Sequence, residues 1–492
     1  MQATVDTATV HGVEALPVEV QADVAPGLPV FNIVGLGDAA VHEARDRVRS
    51  ALRSSGFDFP NARVVINLAP APLRKHGTGF DLPIALAILL ATRQIAASAL
   101  GPAAVVGELG LDGSVRAVPG MLAHAISAAR KGVPLVGPPD AASLMGVVSG
   151  LDYRALAHVA DLRTGVPYPA STPIAPPSSL GLEPDLKDVV GQHAARRALE
   201  IAAAGGHNIL LVGPPGSGKT MLARRLPGVL PQLDQMEVLE AALVHSVAGL
   251  DERSVLAGVR PFRAPHHSCS LAGLVGGGSP PRPGEASLSH HGVLFLDEFP
   301  EFAPSALQAL RQPLEDGCVT LVRADGRVRY PARFSLVTAM NPCPCGFLGD
   351  AEKQCLCTPD EIRRYVGRIG GPLMDRIDIR VRVDRLPSDR ILDSGPSEPS
   401  AAVRDRVRAA REFAATRPAP GQEAVSLSAA FMLRAAARET IVSLTSLGAL
   451  SGRAVTRMVR VARTIADLAG SDFVEEEHAF EAASYRLAEE TA

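Results

Sequence analysis

The stretch NILLVGPPGSGKTMLARRL, residues 208–226, decides the fold of the central part of this 492-residue chain. Its first residues form an apolar run that predicts a buried strand, a glycine-rich turn follows, and the residues from Lys219 onward predict a helix. The turn fits the pattern G-x-x-x-x-G-K-[ST], which requires a strand before it and a helix after it. A chance glycine-rich loop is the alternative, but the flanking elements favour a phosphate-binding loop in an α/β domain.

Each residue type in this loop suits the binding of a nucleotide's phosphates. The glycines let successive backbone N–H groups turn inward, and the helix amino terminus adds the positive end of its dipole. Lys219 is predicted to reach the β- and γ-phosphates, and Thr220 to hold Mg²⁺. The predicted nucleotide-binding residues are Gly213, Pro214, Pro215, Gly216, Ser217, Gly218, Lys219, Thr220 and, from the next motif, Asp297.

Two further apolar stretches end in polar residues, at the edge where a parallel sheet binds phosphates. GVLFLDE, residues 292–298, ends in two carboxylates, and FSLVTAMNP, residues 334–342, ends near Asn341. A strand that is buried on both faces carries charge only at its carboxyl end. We therefore expect Asp297 to hold Mg²⁺, Glu298 to polarise the attacking water and Asn341 to orient that water. The alternatives are an acidic helix cap for the carboxylates and a simple Asn-Pro turn for the amide.

Two arginines are candidates for contact with a triphosphate. GPLMDRIDI, residues 371–379, places Arg376 between two aspartates, a spacing that also fits a surface salt bridge. The alternative is an arginine finger that one subunit offers to its neighbour's γ-phosphate, which contributes roughly 10³ to 10⁵ in rate. Arg453, in LSGRAVTRM, is a second arginine that could reach nucleotide from the carboxyl-terminal region.

Four of the six cysteines lie close together, at Cys343, Cys345, Cys355 and Cys357. In a cytosolic chain such clustering indicates a metal site before it indicates disulfides. Two C-x-C arms across a polar loop suit a tetrahedral Zn²⁺ held by four thiolates. The predicted zinc is structural, because four protein ligands leave no open coordination position. Free thiols that close a loop are the alternative.

A basic hairpin is predicted from GCVTLVRADGRVRYPARF, residues 317–334, with Asp325 and Gly326 at its tip. Arg323, Arg327 and Arg329 decorate its strands. One interpretation is a solvated basic surface. The other is a hairpin that projects into the pore of a ring and contacts a phosphate backbone.

A histidine-containing stretch, residues 262–292, interrupts the alternation of strands and helices with about thirty residues that we predict to be irregular. Loops of this length are typically functional or disordered. We interpret its four histidines as hydrogen-bonded loop residues rather than metal ligands; they are His266, His267, His290 and His291.

Composition along the chain predicts three domains and two linkers. Residues 1–165 mix short strands with helices and predict an α+β domain. Residues 166–186 are rich in Pro, Ser and Gly and predict a linker. Residues 187–385 predict the α/β core, and a second linker is predicted at 386–400. Residues 401–492 carry apolar residues at helical spacing and predict an all-α bundle.

Charge and hydropathy exclude several classes of protein. The formal net charge is −3, so any contact with nucleic acid must come from a local basic patch. No apolar run reaches the roughly 18 residues that a membrane span needs, and the amino terminus lacks a signal-peptide pattern. We therefore expect a soluble cytoplasmic protein without a membrane partner.

The chain resembles the YifB/ComM family of magnesium-chelatase-like AAA+ ATPases over nearly its whole length. The most specific motifs are HNILLVGPPGSGKTMLARRLPG, HHGVLFLDEFPEFAPSALQALRQPLEDG, AMNPCPCG and RYVGRIGGPLMDRIDI. The resemblance implies a ring, expected to be a hexamer, with ATP and Mg²⁺ at the subunit interfaces. It also implies that Asn341 is the first sensor, Arg376 the finger and Arg453 the second sensor, on a carboxyl-terminal lid.

The first domain resembles the fold of Lon proteases. RKHGTGFDLPIALAILLA and GELGLDGSVRAVPGML correspond to segments that carry a serine-lysine dyad in true Lon proteases. Here the serine position is Gly79 and the lysine position is Leu122. Acyl transfer needs a nucleophile with an activating base, so we expect no peptidase activity from this domain.

Two functions follow from the resemblance. The first is a helicase-like motor that moves single-stranded or branched DNA past the hairpins, as characterised relatives do in natural transformation. The second is a chaperone-like motor subunit of a magnesium-chelatase-type metal-insertion or assembly complex. The arginines of the hairpin favour the first, whereas the absence of a broad basic face counts against it.

Overall fold

The computed structural model describes residues 1–163, 168–169, 184–323, 326–350, 352–387, 392, 395, 397–417, 426–447 and 451–487. Most of the first predicted linker, part of the second and the tip of the basic hairpin at 324–325 therefore lie outside the described residues. None of the helices within these ranges is long and apolar enough to cross a membrane.

The N-terminal domain is built on a mixed eight-stranded sheet with the order β10-β9-β8-β5-β1-β2-β4-β3. Its strands are β1 Gln2–His11, β2 Glu14–Ala25, β3 Val30–Val34, β4 Arg63–Ala69, β5 Ala104–Val105, β8 Leu135–Gly137, β9 Tyr153–Ala155 and β10 Tyr168–Pro169, and a separate two-stranded hairpin contains β6 Glu108–Leu109 and β7 Val115–Arg116. The helices are α1 Ala39–Ser54, α2 Asp81–Ala91, α3 Met121–Lys131 and α4 Ala142–Met145.

The strands β1 and β2 alternate between buried and exposed residues, which is the pattern of an antiparallel pair with one face on a core. That core is supplied by α2, in which ten of the eleven residues are buried. Our prediction of short strands is wrong for this pair, since β1 has 10 residues and β2 has 12. Asp112 and Gly113 are turn residues between alternating segments and predict a hairpin, which is confirmed because Glu108 pairs with Arg116 across it.

The central domain holds a parallel five-stranded sheet with the order β12-β15-β18-β11-β19. Its strands are β11 Ile209–Val212, β12 Phe262–Arg263, β15 Val293–Leu296, β18 Ser335–Met340 and β19 Ile379–Arg382, and two small hairpins pair β13 Gly276–Gly277 with β14 Arg282–Pro283 and β16 Cys318–Arg323 with β17 Gly326–Pro331. The helices are α5 His193–Gly205, α6 Lys219–Ala223, α7 Leu226–Val229, α8 Gln235–Ala248, α9 Arg253–Leu256, α10 Leu271–Val275, α11 Glu285–Leu288, α12 Pro304–Ala309, α13 Arg311–Asp316, α14 Pro359–Gly367 and α15 Gly371–Met374.

The apolar runs of β11, β15 and β18 lie next to one another in this sheet, and most of their residues are buried. Burial of both faces explains why these strands read as continuous apolar runs rather than as alternating ones. The carboxyl ends of parallel strands meet at one edge of a sheet, so the three strands deliver their following residues to a common place. The predicted α/β core is thus confirmed.

The C-terminal domain is helical, as predicted, and contains α16 Ser400–Ala415, α17 Leu427–Ala430, α18 Ala435–Leu447, α19 Gly452–Leu468 and α20 Glu476–Leu487. The apolar spacing of AAFMLRAAARETIVSL, residues 429–444, predicts a single helix that joins the end of α17 to most of α18. The structure divides it at Met432, which has φ of +55°, and Leu433 forms a bridge with Val474 there. Buried residues of α19 and α20 share one hydrophobic core with α5 and β11.

The N-terminal and central domains are in direct contact through α3 and α8. The backbone N–H of Gly120 donates to the carbonyl of Ser246 at 2.8 Å. Leu122 is fully buried, and it packs in an apolar cluster with Ala241 and Ala242 of α8. The position that resembles the dyad lysine of Lon proteases is therefore an apolar contact between two domains.

The position that resembles the dyad serine also has apolar surroundings. A Cβ atom added to Gly79 would lie 3.4 Å from side-chain carbons of Val106 and Val118. Neither position offers the polar pair that acyl transfer needs. We keep the prediction that this domain has no peptidase activity.

Candidate active site

The glycine-rich turn connects β11 to the first turn of α6 in the central domain. Gly216 has φ of +78° and Gly218 has φ of +94°, in the region of backbone space that side chains with a Cβ rarely occupy. This conformation lets the turn wrap around a small space and begin the helix directly at Lys219. The predicted order of strand, glycine turn and helix is present.

Lys219 connects the loop to the neighbouring strand. Its ammonium group donates to the carbonyls of Gly213 at 2.7 Å and Pro214 at 2.9 Å, and to Oδ1 of Asn341 at 3.2 Å. Burial lowers the pKa of this lysine, and the nearby carboxylate of Asp297 opposes that shift. The structure thus brings Lys219 and Asn341 together, although they are far apart in sequence.

The two carboxylates after β15 lie beside the same loop. The hydroxyl of Thr220 donates to Oδ2 of Asp297 at 2.7 Å, and the backbone N–H of Glu298 donates to Oδ1 of Asp297 at 2.9 Å. A hydroxyl and a carboxylate at this distance are the oxygen ligands that Mg²⁺ takes at a phosphate site. Glu298 has φ of +51°, and its side chain is 60% exposed.

The loop also contains a polar atom without a partner. The side-chain hydroxyl of Ser217 is buried and has no hydrogen bond to any described residue. Gln192 approaches from the start of α5 and donates to the carbonyl of Asp384 at 2.6 Å. Together with the inward-turned glycines and the buried ammonium, this unpaired hydroxyl fits a loop that accepts a nucleotide's phosphate oxygens.

Sequence reasoning missed the partner of Glu298. Nδ1 of His267 lies 2.9 Å from Oε2 of Glu298, and His267 belongs to the stretch that interrupts the strand and helix pattern. That stretch is not irregular as we predicted, because it contains β12, α10, β13, β14 and α11. The doublet of histidines at 266–267 was the only signal in the sequence, and it does not specify a partner.

The His267–Glu298 pair leads to a prediction about the basal ATPase rate. A contact between a partly exposed imidazole and an exposed carboxylate is worth at most about 1 kcal/mol, and it must break before Glu298 can act on a water molecule. We therefore expect His267→Ala to raise the DNA-free kcat by up to about fivefold. Steady-state ATPase assays measure this, with His42→Ala, an exposed histidine of α1, as the matched control. An unchanged or lower kcat would contradict the prediction.

The other histidines are hydrogen-bonded, as we interpreted them. Nε2 of His290 and of His291 lie 3.2 and 2.8 Å from the same oxygen of Glu240, a set that has the composition of a metal site. However, Nδ1 of His290 accepts the backbone N–H of Arg333 at 3.0 Å. The proton of a neutral ring must then reside on Nε2, which leaves that nitrogen no lone pair for a metal ion.

Arg376 lies at the edge of the sheet that is formed by the amino ends of the strands. The phosphate-binding loop lies at the opposite edge, which is formed by their carboxyl ends. The amide side chain of Asn208 donates to the carbonyl of Arg376 at 2.9 Å, just before the paired starts of β11 and β19. The loop begins only after Val212, at the other end of β11. Four residues at about 3.3 Å each separate the two edges by roughly 13 Å. Arg376 therefore cannot contact a nucleotide in its own subunit in this arrangement.

The guanidinium of Arg376 is buried, and it forms an ion pair with Glu315. Burial is the largest cause that lowers the pKa of Arg376, and repulsion from Arg311, Arg457 and Arg453 lowers this pKa further. Its Nε atom has no hydrogen-bond partner among the described residues. Glu315 is the anionic partner of this arginine, and the unused Nε–H donor leaves it able to bind a second acceptor.

Arg453 lies on the same side of the sheet as Arg376. It is exposed in the first turn of α19, one helical turn before Arg457, so the two side chains share a face of the helix. Arg457 donates to Oδ1 of Asp378 at 2.8 Å, and Asp378 lies two residues after Arg376 in the sequence. We expected Arg453 to reach nucleotide from the lid; the structure groups it with Arg376 instead of with its own phosphate-binding loop.

The four clustered cysteines converge to a single point. Their sulfur atoms all lie within 4.8 Å of one another, with Sγ of Cys343 at 3.3 Å from Cys345 and 3.6 Å from Cys355. Tetrahedral Zn–S bonds of about 2.3 Å require sulfur separations of roughly 3.8 Å, which this group approaches. The cluster can therefore hold a metal ion, and it lies directly after Asn341.

The cysteine loop also contacts the phosphate-binding loop. Gly346 has φ of +86°, and a Cβ atom added to it would lie 2.7 Å from Cδ of Pro215. Backbone hydrogen bonds to Phe347 and Leu356 lower the pKa of Cys345 to about 6. The cysteine loop therefore supports the nucleotide site from one side.

The predicted basic hairpin is present as β16 and β17, with Arg323 paired with Gly326. Arg327 and Arg329 alternate with the buried Val328 and Tyr330, so they share the exposed face of β17. Arg323 lies instead near Gly277, whose added Cβ would be 3.6 Å from its guanidinium. The three arginines that we grouped by sequence thus lie on two different sides of the hairpin.

Comparisons with known proteins agree with this geometry. The family model described as "Magnesium chelatase, subunit ChlI" matches residues 185–391, and two further models of this subunit match residues 20–139 and 397–486. The chain is 43% identical to "Uncharacterized protein YifB" of Escherichia coli, covering 98% of this chain and 96% of that protein. It is 41% identical to "Competence protein ComM" of Haemophilus influenzae, covering 96% and 95%. A local match of 33% identity to "Lon protease 2" of Bacillus subtilis covers 27% and 26%.

The fold and the phosphate-binding loop, together with these matches, define an AAA+ ATPase of the magnesium-chelatase type, with ATP and Mg²⁺ as its cofactors. Its N-terminal domain has the fold of Lon proteases. The chain belongs to the YifB/ComM family of magnesium-chelatase-like AAA+ ATPases.

Proposed function

We propose that this protein assembles into a ring, a hexamer, and couples ATP hydrolysis to movement on single-stranded or branched DNA in the cytoplasm. The observation that supports the ring best is the position of Arg376 and Arg453 at the sheet edge opposite the phosphate-binding loop. Arg453 is exposed there, and Arg376 can act on a neighbour's nucleotide once its ion pair with Glu315 opens. Closed rings form when one surface patch of a subunit contacts a different patch of the next.

The contacts of the phosphate-binding loop support the following roles at the nucleotide. When bound, ATP would supply the γ-phosphoryl group, and Mg²⁺ would neutralise part of its charge. Residues 213–220 hold the phosphates, and Thr220 with Asp297 holds Mg²⁺. Glu298 accepts a proton from the attacking water, and Asn341 orients that water while contacting Lys219. Arg376 and Arg453 stabilise the triphosphate of the adjacent subunit in the transition state.

The proposed DNA substrate rests on the hairpin and on one relative. Arg327 and Arg329 form no ion pair with any residue in the described part of the chain, and they share one exposed face. Arg323 extends the basic surface on the other side of the hairpin. The similarity to a relative named as a competence protein, "Competence protein ComM", supports this choice of substrate.

ATPase assays with and without DNA test this function. We expect single-stranded DNA or a four-way junction to stimulate hydrolysis severalfold, and we expect Arg327→Ala to remove that stimulation. Lys219→Ala, which lacks the phosphate-binding ammonium, identifies any contaminating ATPase. If neither DNA stimulates hydrolysis and neither gives a mobility shift at low salt, the DNA motor is not the function.

A chaperone-like motor of a metal-insertion or assembly complex is the second candidate. The match of the three family models to a magnesium chelatase subunit favours it. Such a motor would hydrolyse ATP without a response to DNA, and its rate would respond to a protein partner instead. The same assay therefore separates the two candidates.

We further propose that Cys343, Cys345, Cys355 and Cys357 hold a structural Zn²⁺ ion. The purified protein should contain about one zinc per chain, and Cys355→Ser should reduce this to near zero because a four-thiolate site loses a ligand. Elemental analysis measures the metal content. Cys318→Ser, which changes a buried cysteine outside the cluster, is the matched control. Wild-type protein purified without chelators and found free of zinc would disprove the site.

A further inference from the structure

A cleft of about 730 Å³ lies between the N-terminal and central domains. Its walls are the turn between β1 and β2, one side of α3, and β17 of the basic hairpin. Five cationic side chains line it, and three carboxylates accompany them. The cations are Arg130, Lys131, Arg327, Arg329 and Arg333, and the carboxylates are Glu14, Glu240 and Asp316.

The walls of the cleft are held together by direct contacts between the domains. Nε2 of His11 lies 3.3 Å from the carbonyl of Arg327. A Cβ atom added to Gly12 would lie 3.0 Å from the carbonyl of Arg329, so the hairpin rests on this turn. Within the N-terminal domain, the hydroxyl of Ser127 in α3 donates to the carbonyl of Ala15 at 3.1 Å and joins two walls of the cleft. Residues 327–329 of β17, in the half of the hairpin next to its tip, are thus docked on the N-terminal domain.

The cationic side chains of the cleft are exposed and lack carboxylate partners among the described residues. All five cations are exposed, and none forms an ion pair with another residue in the described ranges. By contrast, Glu240 is engaged by two imidazoles. Arg130 and Lys131 in the last turn of α3 are favourable for the helix dipole, but that effect does not explain why three arginines of another domain face the same space.

We propose that this cleft binds the phosphate backbone of a single nucleic acid strand, with Arg130 and Lys131 supplying the contacts from the N-terminal domain. The inference rests on the proposed DNA motor, and it gives the N-terminal domain a part in holding the substrate. Converging unpaired cations neutralise phosphates and release their counterions. Pockets of about 300–1,000 Å³ hold molecules of drug size, so the cleft accepts a short segment of one strand and not a duplex.

Fluorescence anisotropy with a labelled 30-nucleotide single strand tests the proposal on the full chain. We expect the double variant Arg130→Glu, Lys131→Glu to bind at least about tenfold more weakly than wild type. The slope of log K against log salt should fall by about 1.4, because each lost phosphate contact on a single strand contributes about 0.7. Arg45→Glu, an exposed arginine of α1 in the same domain, should bind as wild type does.

The possible outcomes separate this inference from the proposed function. If wild type binds no single strand at low salt, the DNA motor itself fails. If wild type binds and the double variant matches it in affinity and slope, only the role of the cleft is overturned. The single-strand assignment would be overturned if a duplex of equal length bound wild type as tightly as the single strand does, and if the double variant weakened the binding of the duplex by the same factor. The milder variant Arg130→Ala, Lys131→Ala replaces the double variant if thermal unfolding shows that the latter does not fold.

Discussion

Glu298→Gln is expected to lower the kcat for ATP hydrolysis by about 10²- to 10⁴-fold, the range that a positioned general base contributes. The amide keeps the size of the carboxylate but cannot accept the proton of the attacking water. The phosphate-binding loop does not use this side chain, so the affinity for ATP should change little. Single-turnover hydrolysis and binding of a fluorescent ATP analogue measure the two quantities separately.

The matched control for this change is Glu301→Gln. Glu301 lies three residues further along the chain and forms an exposed ion pair with Arg368, away from the residues that approach Lys219. The Glu301→Gln variant should have a kcat for ATP hydrolysis within about a factor of two of the wild-type value, because exposed ion pairs contribute little. If Glu298→Gln turned over as fast as this control, another group would have to be the base.

Arg376→Ala is the second change for which we expect a large effect, a loss of about 10³- to 10⁵-fold in kcat with ATP still bound. Its partner Glu315 is 56% exposed, so removing the arginine leaves no buried charge behind. The loss should therefore be catalytic and not a failure to fold. Arg363→Ala, which removes an exposed arginine of α14 paired with Asp360, should hydrolyse ATP as wild type does.

Mixing two inactive variants tests whether Arg376 acts between subunits. Arg376→Ala keeps its phosphate-binding loop, and Lys219→Ala keeps its arginine, so a mixed ring contains interfaces in which both are intact. We expect ATPase activity to recover to a measurable fraction of wild type after the two proteins are mixed. No recovery in rings shown to contain both variants would contradict action in trans, as would a monomeric protein that hydrolyses ATP at the full rate.

Much of the ATP site could be predicted because it depends on local order along the chain. Apolar runs followed by a glycine turn, by two carboxylates or by an amide identify the carboxyl ends of buried parallel strands. Such strands deliver these ends to one edge by the geometry of the sheet alone. The contacts of Lys219 with Asn341 and of Thr220 with Asp297 agree with that expectation.

Other features could not be predicted because they depend on which surfaces meet. The pairing of His267 with Glu298 requires a fold for a stretch that has no clear period. The division between α17 and α18 depends on a left-handed residue, Met432, which the helical spacing does not reveal. The length of β1 and β2 is set by their pairing with each other over ten residues, which is not evident from either segment alone.

By itself, the sequence determined the nucleotide-binding chemistry, the α/β core and the helical character of the end of the chain. These features follow from hydrophobic periodicity and from glycine conformations within about twenty residues. Only the tertiary structure placed Arg376 and Arg453 away from their own phosphate-binding loop, and only it divided the hairpin arginines between two faces. Sheet order and domain docking set these positions through contacts between residues far apart in sequence, which no local pattern encodes.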